Sequence, residues 1–298
     1  MELDGYFVNL STSDDRRKSM EARIDAIGYR DCIKRFPAVD GRAHGPFDNP
    51  ARNAIWACRR SHEELILRAS ADSATIVLED DVEISAHFPS IVNPHVIGLF
   101  VAGNPDADLL FLDCCPYHHQ VPFLLAQAEE KMSRRRESGR QGAERHELAG
   151  INLSDAKDSY AYCAAAYVVT PKGKQTLRTL FPLHRHVENA IDALYKGWIR
   201  SGALKAKVAV PFLATPKLKN TSTIPYDALG VDVLEPRDHQ LTNTLRRLLF
   251  AGEADIDWAD LTELLGGNGR SVEYMIGMQL YEASRSWWAA KQPARGDA

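Results

Sequence analysis

The sequence lacks the cysteine pattern of a disulfide-rich or zinc-ribbon protein. It has five cysteines, an odd number, and no two of them are spaced as CxxC. A scattered, odd set argues against both a disulfide framework and a zinc ribbon. Reduced thiols are typical of the cytosol, so the cysteines favour an intracellular protein.

Long apolar segments are also missing. No run approaches the roughly 18 apolar residues that a membrane-spanning helix needs, and the stretch from Met1 to Gly5 lacks the basic-then-apolar plan of a signal peptide. We therefore expect a cytoplasmic protein. Near the other end, the pair Trp287 and Trp288 is typical of internal packing, of a homodimer contact, or of peripheral contact with the inner face of a membrane.

The chain has no excess of positive charge. Its formal net charge is −4, which argues against nucleic acid as a partner for the chain as a whole. With 298 residues, of which 45% are hydrophobic and 26% charged, it has an ordinary globular composition. One basic block, from Lys131 to Arg145, departs from this balance; it indicates a solvated helix or disordered loop, or a mobile segment that meets an anionic acceptor.

The most informative stretch is an apolar run that ends in three acids. Residues 75–78 are suited to a buried strand, and Glu79, Asp80 and Asp81 follow directly. An apolar run without alternation predicts a parallel strand covered on both faces. Ligands of open α/β sheets bind beyond the carboxyl ends of such strands, and clustered carboxylates suit Mg²⁺ or Mn²⁺. A solvated turn with one Asp capping the next helix is the plain alternative.

Other polar residues follow apolar runs at predicted strand ends. Arg16 lies in the first turn of a helix that follows a strand over residues 6–10. There it either contacts a nucleotide phosphate or is simply solvated in the first turn. Asp40 follows a second strand near residues 33–36, where an Asp often accepts hydrogen bonds from a ribose, although an ordinary Asp-Gly turn fits as well. Lys217 and Lys219 belong to a polar loop that is suited to closing over a diphosphate.

A long helix is predicted between Asn49, as its cap, and about Ala69, with Pro50 at its first position. Its apolar stripe, Ile55, Cys58, His62, Leu65 and Ala69, has 3–4 spacing. His62 therefore lies within the stripe. It is either a core histidine with one hydrogen bond or a side chain that the helix points into the acidic site.

Two further carboxylates are candidates for catalysis. Asp113 follows a strand predicted over residues 108–112, and Asp192 lies in a helix predicted over residues 187–200. Asp113 either faces the crevice beside the acidic triplet or caps a loop. Asp192 is either one of a row of charged residues on the helix surface or a carboxylate that projects toward the acceptor. Residues 160–169 predict a buried strand, followed by a helix capped at Thr170.

Taken in order, these segments resemble glycosyltransferase family 25, the lipopolysaccharide and lipooligosaccharide sugar transferases related to the collagen galactosyltransferases. The resemblance rests on the "AVDG" turn, the "SH" helix, "LEDDV" and "AYVVTPKG", and covers Gly5 to Trp198. The chain departs from the family at Arg59 and Arg60, where smaller residues usually precede Ser-His.

The resemblance implies a GT-A (Rossmann-like) fold, a UDP-sugar donor and a Mn²⁺-dependent inverting transfer. Glu79 and Asp81 match the ends of the family's acidic metal motif, with Asp80 between them. The remaining matches are Asn9, Arg16 and Asp40 in nucleotide-facing segments, Ser61 and His62 in the Ser-His pair, and Asp192 in a later helix.

We therefore expect an α/β protein with a GT-A catalytic domain over 1–235 and a helical C-terminal extension over 236–298, in which we see no chemistry. The predicted activity moves a hexose such as galactose or glucose from a UDP-sugar to a saccharide or glycolipid acceptor. Asp192 is the first candidate for the base and Asp113 the second. A silent GT-A-like binding protein, a nucleotidyltransferase, and a transferase acting on protein or modified DNA stay open as alternatives.

Overall fold

The computed structural model describes residues 1–135, 145–184, 189–217, 224–225 and 236–252. Within these ranges the protein has the predicted α/β fold: helices pack against a central seven-stranded mixed sheet. Among the described helices, none is long and apolar enough to cross a membrane.

The strands are numbered in chain order. They are β1 (Leu3–Asn9), β2 (Ile33–Pro37), β3 (Ala74–Glu79), β4 (Val82–Ile84), β5 (Leu109–Phe111), β6 (Cys115–Pro116), β7 (Met132–Arg135), β8 (Arg145–Leu148), β9 (Asn152–Asp155), β10 (Tyr160–Tyr162), β11 (Ala166–Val169), β12 (Ala206–Val210) and β13 (Ala214–Pro216).

The helices are numbered in the same way. They are α1 (Asp14–Ala26), α2 (Gly41–His44), α3 (Pro50–Arg68), α4 (Phe88–Ile91), α5 (Pro94–Gly103), α6 (Val121–Lys131), α7 (Ala156–Ser159), α8 (Pro171–Leu180), α9 (Ile191–Ser201) and α10 (Pro236–Leu249), with single 3₁₀ turns at His118–Gln120 and Phe181–His184.

The order of strands in the central sheet is β2-β1-β3-β11-β5-β12-β9. Strand β1 runs parallel to both β2 and β3, and β5 runs parallel to β12. Strand β11 is antiparallel to both of its neighbours. The predicted parallel strand, β3, is therefore parallel to β1 but antiparallel to β11, and β11 and β9 make the whole sheet mixed.

The register of β1, β2 and β3 brings their carboxyl ends to one edge. Val8 pairs with Glu79, and Asn9 pairs with Pro37. Residues 74–78 of β3 are all buried, because strands flank it on both sides and helices cover the sheet. The three strands therefore end side by side, and the first residues of the loops that follow them lie close together.

Helices α1 and α3 position this edge, and α3 begins and ends as predicted. Asn49 caps α3 by accepting hydrogen bonds from the backbone N–H groups of Ala51 and Arg52, and Pro50 occupies the first turn. Helix α1 buries Met20 and Ile24. Gly28 follows it with a φ of +73°, a conformation that glycine adopts without a Cβ clash, which explains the end of the helix there.

The predicted strand over residues 160–169 is wrong as a single element. It divides into β10, in a separate two-stranded sheet with β6, and β11 in the central sheet. Cys163 breaks it by adopting a positive φ of 79°, which is uncommon for a residue other than glycine. Helix α9 also begins later than predicted, at Ile191, and residues 185–188 lie outside the described residues.

The described part of the C-terminal segment packs into the main core. Leu241, Leu245, Leu248 and Leu249 of α10 are buried and belong to the same apolar cluster as the sheet. The backbone of Phe212 pairs with that of Phe250. Residues 236–252 are therefore integrated with the domain predicted for 1–235. Residues 253–298, which include Trp287 and Trp288, lie outside the described residues.

The ends of the basic block form a hairpin rather than the predicted helix or disordered loop. Helix α6 stops at Lys131, and β7 then pairs with β8 in antiparallel fashion. Residues 136–144 lie outside the described residues.

Candidate active site

A cavity of about 450 Å³ opens at the carboxyl edge of β1, β2 and β3. Most of the predicted site residues that the structure describes line it: Arg16, Asp40, Ser61, His62, Glu79, Asp80 and Asp81. Helix α3 forms one wall through Ala54, Ala57 and Cys58. The structure thus brings together residues that the sequence separates by more than sixty positions.

The acidic triplet lies where β3 ends and turns into β4. Glu79 is the last residue of β3, and Asp80 and Asp81 form the turn. The Asp80 carboxylate accepts hydrogen bonds from Nδ2 of Asn9 at 2.7 Å and from Arg16 at 3.2 Å. Arg16 also lies 3.7 Å from Asp81. Asp80 is therefore held by protein groups, while Glu79 and Asp81 flank it at the cavity.

The three carboxyl groups are crowded and partly buried, and their pKa values differ from the ordinary values for Asp and Glu. Burial, followed by the charge of Glu79, raises the pKa of Asp81 to about 7. Burial also raises the pKa of Asp80, against the lowering effect of Asn9 and Arg16. Burial acts in the same direction on Glu79, but His62 lowers its pKa below the usual value. A cation that offsets the repulsion would release the proton from Asp81.

His62 is fully buried and joins α3 to the sheet. Its Nδ1 lies 2.8 Å from the hydroxyl of Tyr167 in β11, and that hydroxyl accepts a hydrogen bond from Tyr195 of α9 at 3.2 Å. On its other side, Nε2 lies 3.4 Å from Oε1 of Glu79. The core and site interpretations of His62 are therefore both correct: a buried chain holds one ring nitrogen, and the other faces the acidic triplet.

Ser61, Asn9 and Asp40 shape the cavity through structural bonds. The Ser61 hydroxyl donates to the carbonyl of Ala57 at 2.7 Å and accepts from the N–H of Val39 at 2.8 Å, which docks the loop after β2 onto α3. Asn9 is buried beneath Asp80 and does not line the cavity. Asp40 caps α2 by accepting from the N–H of Arg42 at 2.9 Å, and this bond lowers its pKa.

Asp192 lies at the same edge of the sheet, outside the cavity lining. Its carboxylate accepts from the backbone N–H groups of Cys163, at 3.1 Å, and of Ala193, at 2.7 Å. Burial, with a smaller contribution from the charge of Glu79, raises its pKa. The backbone N–H of Glu79 in turn bonds the carbonyl of Ala165, just after Cys163. These contacts bring the first candidate base to the neighbourhood of the triplet.

The second candidate base, Asp113, is wrongly placed for that role. It is fully buried, and its two oxygens accept from the guanidinium of Arg246, including a contact from Nε at 3.1 Å, and from the hydroxyl of Thr215 at 2.9 Å. A carboxylate enclosed in this way does not reach an acceptor hydroxyl. Asp113 instead binds α10 to the sheet edge.

Of the two predicted lysines, the structure describes Lys217 alone. Lys217 is exposed just after β13 and does not line the cavity, and Lys219 lies outside the described residues. Ile224 and Pro225, further along the same loop, do line the cavity.

Sequence reasoning missed three residues that organise the site. Tyr167 and Tyr195 hold His62, and Arg246 lies close enough to lower the pKa values of Glu79 and Asp81. The available signal for Tyr167 was its place in a buried strand, because a buried tyrosine hydroxyl usually has a partner. Arg246 has no local signal that distinguishes it from its neighbour Arg247.

No protein-family model matches this chain, and no curated protein matches its sequence.

Proposed function

We propose that this protein is a metal-dependent glycosyltransferase with a GT-A fold, which moves a hexose from a UDP-sugar to a hydroxyl of a saccharide or glycolipid. The observation that carries the proposal is the convergence of Arg16, Asp40 and the acidic triplet on one cavity at the carboxyl edge of parallel strands. That edge is where α/β sheets bind nucleotides. The family resemblance of the motifs supplies the class of reaction.

The residues present fit a hard divalent cation such as Mn²⁺ or Mg²⁺. Glu79 and Asp81 offer oxygen ligands at the cavity, and burial, followed by the charge of Glu79, raises the pKa of Asp81 to about 7. These carboxylates would hold the ion, which when bound supplies Lewis-acid stabilisation of charge on the leaving diphosphate.

The chain's own groups perform the remaining tasks. Arg16 lies beside Asp80 and Asp81 in the first turn of α1, where its guanidinium is suited to contact phosphate oxygens. Asp40, at the end of β2, is in the position from which an acidic residue binds a ribose hydroxyl. Asp192, with its raised pKa, is the group suited to accept the proton of the acceptor hydroxyl.

The direct test is a panel of UDP-hexoses and UDP-N-acetylhexosamines, each with Mn²⁺ or EDTA, read by thermal shift and by UDP release. We expect one donor to stabilise the protein only with Mn²⁺, by about 2.7 kcal/mol at a concentration one hundred times its Kd. Slow release of UDP and free sugar should accompany it. Stabilisation without turnover on any acceptor would favour a silent binding protein, and pyrophosphate release would favour nucleotidyl transfer.

Replacement of Asp192 by Asn should lower kcat by about 10²- to 10⁴-fold, because the proton acceptor is lost. Binding of UDP with Mn²⁺, measured by calorimetry, should stay within about twofold, since Asp192 lies outside the cavity. The matched control is Asp158→Asn, an exposed Asp of α7, which should retain wild-type turnover. Intact turnover in Asp192→Asn would contradict the base assignment.

A further inference from the structure

Cys58, His62 and Glu79 form a cluster with mixed sulfur, nitrogen and oxygen donors. Cys58 and His62 lie four residues apart on α3, and therefore on the same face of that helix, while Glu79 ends β3 opposite them. One ligand atom from each of the three lies within 4.8 Å of the others. The sequence singled out Cys58 only as part of an apolar stripe.

The distances within the cluster suit a small tetrahedral ion. The Cys58 Sγ lies 3.9 Å from Oε1 of Glu79, and the His62 Nε2 lies 3.4 Å from the same oxygen. Tetrahedral zinc, with bonds of about 2.3 Å to sulfur and about 2.0 Å to nitrogen and oxygen, separates such donors by roughly 3.3–3.5 Å. The third separation, between the ligand atoms of Cys58 and His62, is within 4.8 Å, so these two side chains would move closer together around an ion.

The His62 ring is already oriented as a metal ligand would be. Its Nε2 is buried and, in the part of the chain that the structure describes, makes no well-directed hydrogen bond. Its Nδ1 is held by Tyr167 at 2.8 Å, and Tyr167 by Tyr195. In metal sites, a partner on the second ring nitrogen fixes the ring and its tautomer. Cys58 and Glu79 both line the cavity, which gives an ion a path from solvent.

We propose that Cys58, His62 and Glu79 bind a thiophilic divalent cation, Zn²⁺ in particular, with solvent as the fourth ligand. The soft thiolate and the imidazole distinguish this site from the all-oxygen set of Glu79 and Asp81. Binding forms a metal–sulfur bond and releases the thiol proton of Cys58 to solvent. Because Glu79 belongs to both sets, a zinc ion and a hard cation compete for its carboxylate.

The test is a titration of the full chain with Co²⁺, a spectroscopic substitute for zinc. We expect one equivalent to produce a thiolate-to-cobalt charge-transfer band, and Zn²⁺ to abolish that band by displacement. Cys58→Ser should lose the band, and His62→Gln should weaken Co²⁺ binding at least tenfold. Cys32→Ser is the matched control, because Cys32 bonds the carbonyl of Leu3 away from the cavity, and it should keep the band.

A second measurement needs no variant. Zn²⁺ should protect Cys58 of the wild-type protein from alkylation, located by mass spectrometry, and the chelator EDTA should restore its labelling. Absence of a thiolate band in the wild type, its persistence in a folded Cys58→Ser variant, or unchanged alkylation would each overturn the proposal. None of these readouts uses sugar transfer, so the zinc site and the transferase activity can fail independently.

Discussion

Replacing Asp81 with Asn should stabilise the metal-free protein at pH 8 and, at the same time, remove its stabilisation by Mn²⁺. The carboxyl of Asp81 has a pKa of about 7 in the folded state, against an ordinary value of 3.8. A group whose pKa is raised by folding favours the folded state below about pH 4, and this contribution is lost as pH rises through 7. Three pKa units correspond to roughly 4 kcal/mol at pH 8.

The measurement is thermal melting in EDTA between pH 4 and pH 8.5. Wild-type Tm should fall across this range relative to Asp81→Asn, and the variant should melt several degrees higher at pH 8. With Mn²⁺ at pH 8, the order should reverse, because the ion offsets the repulsion only where the carboxylate is present. Asp158→Asn should track the wild type throughout.

A Tm above that of the wild type in EDTA and below it with Mn²⁺ would distinguish a metal ligand from a structural residue. A carboxylate that only stabilises the turn after β3 would lower Tm when replaced, with or without metal. If Asp81→Asn is less stable than the wild type in EDTA at pH 8, the crowding described for the triplet is wrong. If it retains full Mn²⁺ stabilisation, the metal assignment is wrong.

Local features of the sequence were sufficient to predict the edge of the sheet. The apolar run before Glu79 predicts β3, and Asn49 with Pro50 predicts the start of α3, because each signal depends on neighbours in the chain. The same reasoning placed Arg16, Asp40 and the triplet at one edge, since parallel strands that follow one another end together. The cavity confirms that placement.

Features that depend on distant partners were not predictable in this way. His62 meets Tyr167 at a separation of 105 residues, and Asp113 meets Arg246 at 133. Periodicity describes which face of a helix is buried, but not which polar group lies opposite. The break between β10 and β11 is a related case, because a run of small and aromatic residues gives no sign that Cys163 adopts a positive φ.

The pairing of Asp113 with Arg246 leads to the second large effect. Both side chains are almost fully buried, with 0% of Asp113 and 6% of Arg246 exposed. A variant that removes the guanidinium therefore leaves a buried acid. Among the described residues, the hydroxyl of Thr215 still donates a hydrogen bond to it. We expect Arg246→Met to lower the free energy of unfolding by about 3–5 kcal/mol, measured by urea denaturation. Arg246→Lys, which keeps the charge, should fall between Met and the wild type.

The double variant Arg246→Met, Asp113→Leu is the informative comparison. Replacing both partners by apolar groups removes the uncompensated acid, so it should recover most of the lost stability, as buried ion pairs replaced by hydrophobic residues often do. Arg30→Met, which breaks an exposed pair with Asp25, should change stability little. A double variant no more stable than Arg246→Met would show that the guanidinium acts through contacts other than Asp113.

Arg246 also acts on the cavity through its charge, and the double variant tests this effect separately from the loss of stability. The guanidinium lowers the pKa values of Glu79 and Asp81, so its loss should keep Asp81 protonated to higher pH. A refolded double variant should therefore bind Mn²⁺ more weakly than the wild type at pH 7, with the difference shrinking at pH 8.5 as Asp81 ionises. A packing role alone predicts no such pH dependence, so calorimetric Mn²⁺ titrations at the two pH values decide whether the helix contributes to the site through charge.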